Sequence, residues 1–184
     1  MSTQATLEAV FDERPRPITS MLLSVTALQA HLRSLRVLVE RLTADAYRAT
    51  PSRTSGSIGE HVRHCLDHVR ALLSGQHQDD LSYDSRLRGT RVETHPHAAA
   101  DEIVRLCVEL DDLDERALER PIRLETLTHR NVPPARVATT VGREVAFVVQ
   151  HTIHHYAIIA ILLDDLGVAV PERFGYAPST PASH

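Results

Sequence analysis

Ser57-Ile-Gly-Glu-His61-Val-Arg-His64-Cys-Leu-Asp-His68-Val-Arg-Ala-Leu-Leu-Ser-Gly75 decides how this chain folds. Ser57 with Glu60 three residues on is the capping-box signature, in which the first residues of a helix satisfy each other's backbone N–H groups. Behind it Ile58, Val62, Cys65, Leu66, Val69, Leu72 and Leu73 recur at three- and four-residue steps, and Gly75 stops the pattern. The stretch predicts an amphipathic helix with one face turned to a core. His61, His64 and His68 run along the same helix, where residues three or four apart share a face. By helical phase His61 and His68 border the apolar stripe, and His64 projects further out.

A second cluster, His151-Thr-Ile-His154-His155, lies in a helix expected over Thr140–Leu166 and stopped by Gly167. That helix is apolar nearly all round (Val145, Phe147, Val148, Val149, Ile153, Ile158, Ile159, Ile161, Leu162), which places it centrally. The two clusters hold six of the twelve histidines.

Outward from these, residues 1–16 read as an irregular arm ending at Pro15 and Pro17. A first helix is expected over Thr19–Leu42 and a turn region over Thr43–Ser55. A long loop, Gln76–Pro96, follows the second helix and carries Tyr83-Asp-Ser-Arg86-Leu-Arg88; loops this long in compact domains are often functional. The third helix is expected over Ala98–Leu118 and is broken by Pro121. Two alternating pieces, Ile122–Leu127 and Ala135–Thr139, suggest a small hairpin. The tail, Val168–His184, should be extended. The expected fold is all-α: one domain over 1–184, a four-helix bundle with a long loop between its second and third helices and a small insert before the fourth.

Composition agrees. The chain is 42% hydrophobic but only 4% aromatic and has no Trp, so its core is aliphatic and suits packed helices. A net charge of −4 speaks against nucleic-acid binding, which usually shows a basic patch. The N-terminal residues lack the apolar stretch of a signal peptide, and no run reaches the roughly 18 uncharged apolar residues of a membrane span. Cys65 and Cys107 sit in helix patterns and read as buried free thiols in a reducing cytoplasm. The expectation is a cytoplasmic protein with no membrane and no nucleic-acid partner.

The chemistry lies in the histidines. His151 and His155 are an i, i+4 pair on the most apolar helix, and a buried imidazole needs a partner. Metal ligation supplies one; a hydrogen-bonded pair supplies another. The zinc-protease motif HExxH is absent, since position 152 is Thr, and its inverted form fails because position 154 is His. His154 is rotated off the pair and reads as a flank. Glu144, seven residues before His151, shares its stripe and stands either as an orienting group or general base, or as a carboxylate favoured by the helix N-terminus. Arg86 and Arg88 either bind an anionic substrate end or are solvated loop charges. Imidazoles aimed at one point from two helices suffice for a divalent transition metal with an open coordination position.

The segment Ser57-Ile-Gly-Glu-His-Val-Arg-His64-Cys-Leu-Asp67, together with Gly142-Arg-Glu-Val-Ala-Phe-Val-Val-Gln-His151-Thr-Ile-His-His155, resembles the DinB/YfiT-like superfamily of metal-dependent enzymes. The Tyr83–Arg88 stretch and Phe174-Gly-Tyr-Ala-Pro-Ser-Thr180 resemble features of one branch of it, and the similarity runs from about residue 20 to 180. The resemblance implies a four-helix bundle holding a divalent metal, nickel, zinc or iron, on His64, His151 and His155. His61, His68 and His154 are secondary candidates. This register differs from helical phase, which favours His61 or His68. The resemblance further implies a transferase or hydrolase acting on a small molecule, with low-molecular-weight thiols among relatives' substrates, and a homodimer. Extra histidines 61, 68 and 154 and the Tyr83–Arg88 loop depart from the better-known thiol transferases. The other reading is a non-catalytic, metal-stabilised dimeric stress or binding protein.

Overall fold

The capping box forms as the sequence predicts, and a side-chain cap also starts the longest helix. In the computed structural model, which describes residues 20–51, 55–84 and 88–181, the chain runs α1 (Ser20–Val39), α2 (Ala44–Arg48), α3 (Ile58–Gly75), β1 (Asp80–Ser82), α4 (Arg91–Thr94), α5 (Pro96–Leu110), α6 (Glu115–Glu119), β2 (Pro121–Thr126), β3 (Ala135–Thr140) and α7 (Val141–Asp165). At α3 the Glu60 backbone N–H donates to Ser57 Oγ at 3.1 Å and the Ser57 N–H donates to Glu60 Oε2 at 2.7 Å. Thr140 caps α7 by accepting from the Arg143 N–H at 3.2 Å.

Four long helices supply the core. α1 packs on α5 and α7, and α3 packs on α5 and α7, closing a ring of contacts. Leu28, Leu32 and Leu35 of α1, Leu66, Val69 and Leu72 of α3, Ile103, Leu106 and Leu110 of α5, and Val145, Val148, Ile159 and Leu162 of α7 are fully buried. Each such aliphatic side chain contributes about 1.5–3 kcal/mol relative to exposure. α7 is long and apolar enough to cross a membrane by composition alone, yet it packs here against α1, α3 and α6 and buries Glu144, Thr152 and His155.

Several boundaries differ from expectation. The first helix stops at Val39, three residues early, because Arg41 and Leu42 turn their N–H groups back to the carbonyls of Leu38 and Val39. Within the expected turn region Thr43 caps a one-turn helix, α2, that buries Tyr47. The third helix begins at Pro96, a residue suited to a first helical position, and ends at Leu110 rather than Leu118. Asp114 then accepts from the Ala117 N–H at 2.7 Å and starts α6.

The fold is mostly helical but not all-α. The hairpin forms, β2 pairing antiparallel with β3, and β1, not foreseen, adds parallel to β2 with Leu81 opposite Leu124. Leu81 is buried against Gly75, where a Cβ would stand 2.9 Å from a Leu81 methyl. The tail is not simply extended: a turn at 171–174 buries Phe174, whose ring stacks on Tyr156 with centroids 4.4 Å apart.

Candidate metal centre

α3 and α7 lie side by side and bring both histidine clusters together. His64 Nε2 and His151 Nε2 are 3.0 Å apart. His68 stacks on His151, centroids 4.1 Å apart, and lies edge-on to His64 at 4.5 Å. His155 is 4.5 Å from His64 and 4.7 Å from His151, centroid to centroid. His64, His68 and His151 each place one ring nitrogen within 4.8 Å of the others. His61 contacts His155, its Nδ1 3.0 Å from His155 Nδ1, and His154 is exposed at the flank, 5.4 Å from His155.

These side chains fit a divalent ion. Two imidazoles bound at ~2.1 Å and near-tetrahedral angles hold their nitrogens ~3.4 Å apart, close to the His64–His151 separation. A 3.0 Å contact between two ring nitrogens sets lone pair against lone pair unless a proton or a metal lies between them. Burial, reinforced by the fields of His151 and His61, pushes His155 down to about 3, so the ring is neutral and offers a lone pair. His61 is likewise lowered, chiefly by burial. His68 donates its Nδ1–H to the His64 carbonyl at 3.0 Å, which leaves Nε2 as its acceptor nitrogen.

Around this group stands a second layer. The Tyr83 ring stacks on His68 at 4.8 Å and 10°, and its hydroxyl donates to Glu144 Oε2 at 3.0 Å. Burial is the main cause holding that hydroxyl well above its ordinary range. Glu144 is fully buried; its Oε1 also accepts from Thr139 Oγ1 at 2.7 Å and from Arg143 at 2.7 Å. Glu144 therefore meets the histidines through Tyr83. β1 is what delivers Tyr83 here, and nothing in the local sequence pattern announced a three-residue parallel strand.

Beside the histidines opens a cleft of about 440 Å³ lined by Glu60, His61, His64, Arg88, Glu93 and His155, among others. Arg88 is exposed at its edge; Arg86 lies outside the described residues. Arg63, also on the cleft, is buried between Asp67 at 2.6 Å and Glu93 at 2.9 Å and is committed to structure. His68, which helical phase sets beside the apolar stripe, is buried and forms one group with His64 and His151, while His155 stands next to that group rather than in it.

Comparison with known proteins gives the family and the fold. Over 101 residues the chain is 33% identical to FK506-binding protein 5 of Rhizopus delemar, an alignment covering 54% of this chain but only 26% of that protein. The crystal structure of a DinB-like protein from Bacillus subtilis superposes with a TM-score of 0.56 at 20% identity, covering 80% of this chain and 94% of that one, which shows a shared fold. The DinB superfamily model matches residues 27–159, a span that begins in α1 and takes in every histidine of both clusters. With that match across most of the chain and the fold in common, this protein belongs to the DinB superfamily.

Proposed function

We propose that this protein binds a divalent transition metal between α3 and α7, with His64, His151 and His155 as ligands and His68 poised as a fourth donor, and that it is a metal-dependent enzyme of transferase or hydrolase type built on a four-helix bundle. The 3.0 Å approach of His64 Nε2 and His151 Nε2, inside a cluster of imidazoles, supports this reading most directly. Nitrogen ligation of this kind suits nickel, zinc and iron. When bound, such an ion with an open position lowers the pKa of the water or thiol it holds and so supplies a nucleophile near neutral pH.

The remaining steps fall to the chain. The cleft admits a small molecule to the His64–His155 side, and Arg88 at its edge pairs with an anionic end, as of a low-molecular-weight thiol. Arg86, two residues before it, is assigned the same role. Glu144 acts as an orienting group: it holds the Tyr83 ring over His68 and so limits how far that imidazole can swing. We take the protein to be a cytoplasmic homodimer; light scattering that gives a monomer at every concentration removes the dimer.

A second reading, a non-catalytic metal-stabilised dimeric stress or binding protein, is favoured by one observation: His68 joins His64 and His151 in one group, and the His155 ring beside them would bring the imidazoles to the four of a closed tetrahedral site. Elemental analysis of untagged protein beside His64→Ala and His151→Ala tests the centre. Stoichiometric metal lost in both variants is expected; metal unchanged in both refutes it. The cobalt-substituted protein then separates the two readings, since an exchangeable water marks the open site and a spectrum unaffected by added thiols or azide marks the closed one.

A further inference from the structure

His61, a secondary ligand candidate in the sequence, stands outside the group formed by His64, His68 and His151, and its two ring nitrogens are both engaged. Nε2 is 3.1 Å from the Ser55 carbonyl, and Nδ1 is 3.0 Å from His155 Nδ1. A carbonyl oxygen only accepts, so the neutral His61 ring must carry its one proton on Nε2 and donate it to Ser55. That leaves His61 Nδ1 with the lone pair, and the contact with His155 then has one polarity: His155 Nδ1–H donates. The proton of neutral His155 is thereby fixed on Nδ1, and its Nε2, on the opposite edge of the ring, keeps the lone pair.

We infer that Ser55, His61 and His155 form a hydrogen-bond relay that selects the metal-binding nitrogen of His155, making His61 a positioning residue for the centre. The inference rests on the proposed metal site. A ligating histidine is usually held by a partner on its other ring nitrogen, which fixes the tautomer and raises basicity; here an imidazole, itself fixed by a carbonyl, fills that place.

The corner that aims the carbonyl is built for it. Gly56 adopts φ +89°, in the left-handed region that glycine reaches without strain. A Cβ there would stand 2.9 Å from Glu60 Oε2, the oxygen that accepts from the Ser57 N–H, and 3.6 Å from His61 Nε2. The capping box and the relay thus share one bend: the turn that starts α3 also sets the tautomer of the first histidine upon it. His61 is half-buried and lines the cleft, so the relay forms part of the wall facing any ligand.

Long-range proton–nitrogen correlation spectra of the full chain, with the histidine rings nitrogen-15 labelled, read each tautomer directly. In the metal-free protein near pH 8, His61 should carry its proton on Nε2 and His155 on Nδ1; with zinc, His155 should coordinate through Nε2. His155 protonated on Nε2, or zinc on its Nδ1, overturns the relay. Competition with a chelator supplies an independent readout. His61→Phe should weaken zinc by ~10–100-fold, the usual cost of losing a ligand's hydrogen-bond partner. His61→Asn, whose side-chain oxygen falls near the place of Nδ1, should recover most of it, whereas His61→Gln should not. Equal zinc affinity in wild type and all three variants, each folded by circular dichroism, refutes the positioning role. Wild-type protein that binds no zinc refutes the metal centre itself, a result separate from the tautomer spectra, and removes the purpose of the relay.

Discussion

Replacing Glu144 and Tyr83, singly and together, measures the layer that holds the histidines. Glu144 is completely buried and accepts from Tyr83 at 3.0 Å and Thr139 at 2.7 Å, while its ion pair with Arg143 is 61% exposed on the arginine side. Hydrogen bonds to an ionised group contribute ~1.5–3 kcal/mol each. The Tyr83 hydroxyl is part-buried, which puts Tyr83→Phe near the lower end, about 1.5 kcal/mol. Glu144→Gln keeps the shape but removes the charge and turns an amide donor toward one of the two hydroxyls, and should cost about 2–3 kcal/mol, the exposed Arg143 pair adding less than ~1 kcal/mol. For a chain of 184 residues, the Tyr83→Phe loss corresponds to a fall of about 3–6 °C in Tm. Urea denaturation of the four proteins should give a lower midpoint at unchanged slope and a coupling of about 1 kcal/mol between the two sites. Additivity within ~0.3 kcal/mol would mean that the hydroxyl and the carboxylate act separately and that Tyr83 is not anchored by Glu144. Tyr83→Ala extends the cycle to the metal: it removes the ring over His68, so zinc should weaken more in Tyr83→Ala than in Tyr83→Phe.

Other perturbations reach different parts of the molecule. Zinc at one hundred times its Kd should stabilise the fold by ~2.7 kcal/mol, seen as a rise in Tm that vanishes in His64→Ala; an unchanged or lowered Tm contradicts specific binding to the native state. Phe174→Ala should cost about 3 kcal/mol in a denaturation midpoint, since the ring is buried on Tyr156; a loss under ~0.5 kcal/mol would show the tail to be loosely attached. Burial pushes the Cys65 thiol up to about 12, so an aromatic disulfide reagent should leave it unreacted in native protein at pH 8 and titrate it after denaturation; immediate reaction of two thiols would refute its burial. The Glu102 carboxyl is held low, first by Arg105 and also by Arg70, against the opposing effect of burial. A lowered carboxyl stabilises the fold above its unfolded pKa and loses that contribution as pH falls through the folded one. Glu102→Gln should therefore be less stable at pH 7 but should converge on wild type in acid; a difference that persists below both pKa values points to packing rather than charge.

How much of this could be read beforehand depends on the range of the interaction. The start and stop of α3 are local, fixed by Ser57, Glu60 and Gly75, and they fell where the sequence put them. The apolar run over α7 was equally plain. The break at Leu110 was missed because apolar spacing continues through Leu113 to Leu118, while the competing signal was a single capping Asp114. β1 escaped because a three-residue strand is defined by its partner β2, some forty residues away, rather than by its own pattern. At the centre, His64, His151 and His155 came from the family motif and His68 from helical phase, and the structure gathers all four rings. Helical phase also set His61 beside the apolar face, but its hold on His155 depends on how α3 and α7 face each other, which neither helix encodes alone.

The short parallel strand also determines where this chain can change length. Asp80, Leu81 and Ser82 are locked opposite Arg123, Leu124 and Glu125, and Leu81 is pinned against Gly75. Tyr83 follows immediately, so its direction is inherited from the strand. An inserted or deleted residue within 80–83 would turn alternate side chains to the opposite face, sending the Tyr83 ring away from His68. Arg88, described between Asp84 and α4, is exposed and stands on the cleft, and homologues of differing length should carry their extra residues beside it. Insertions there would redraw the opening toward the histidine cluster while leaving its rings undisturbed, a way for one scaffold to meet ligands of different size.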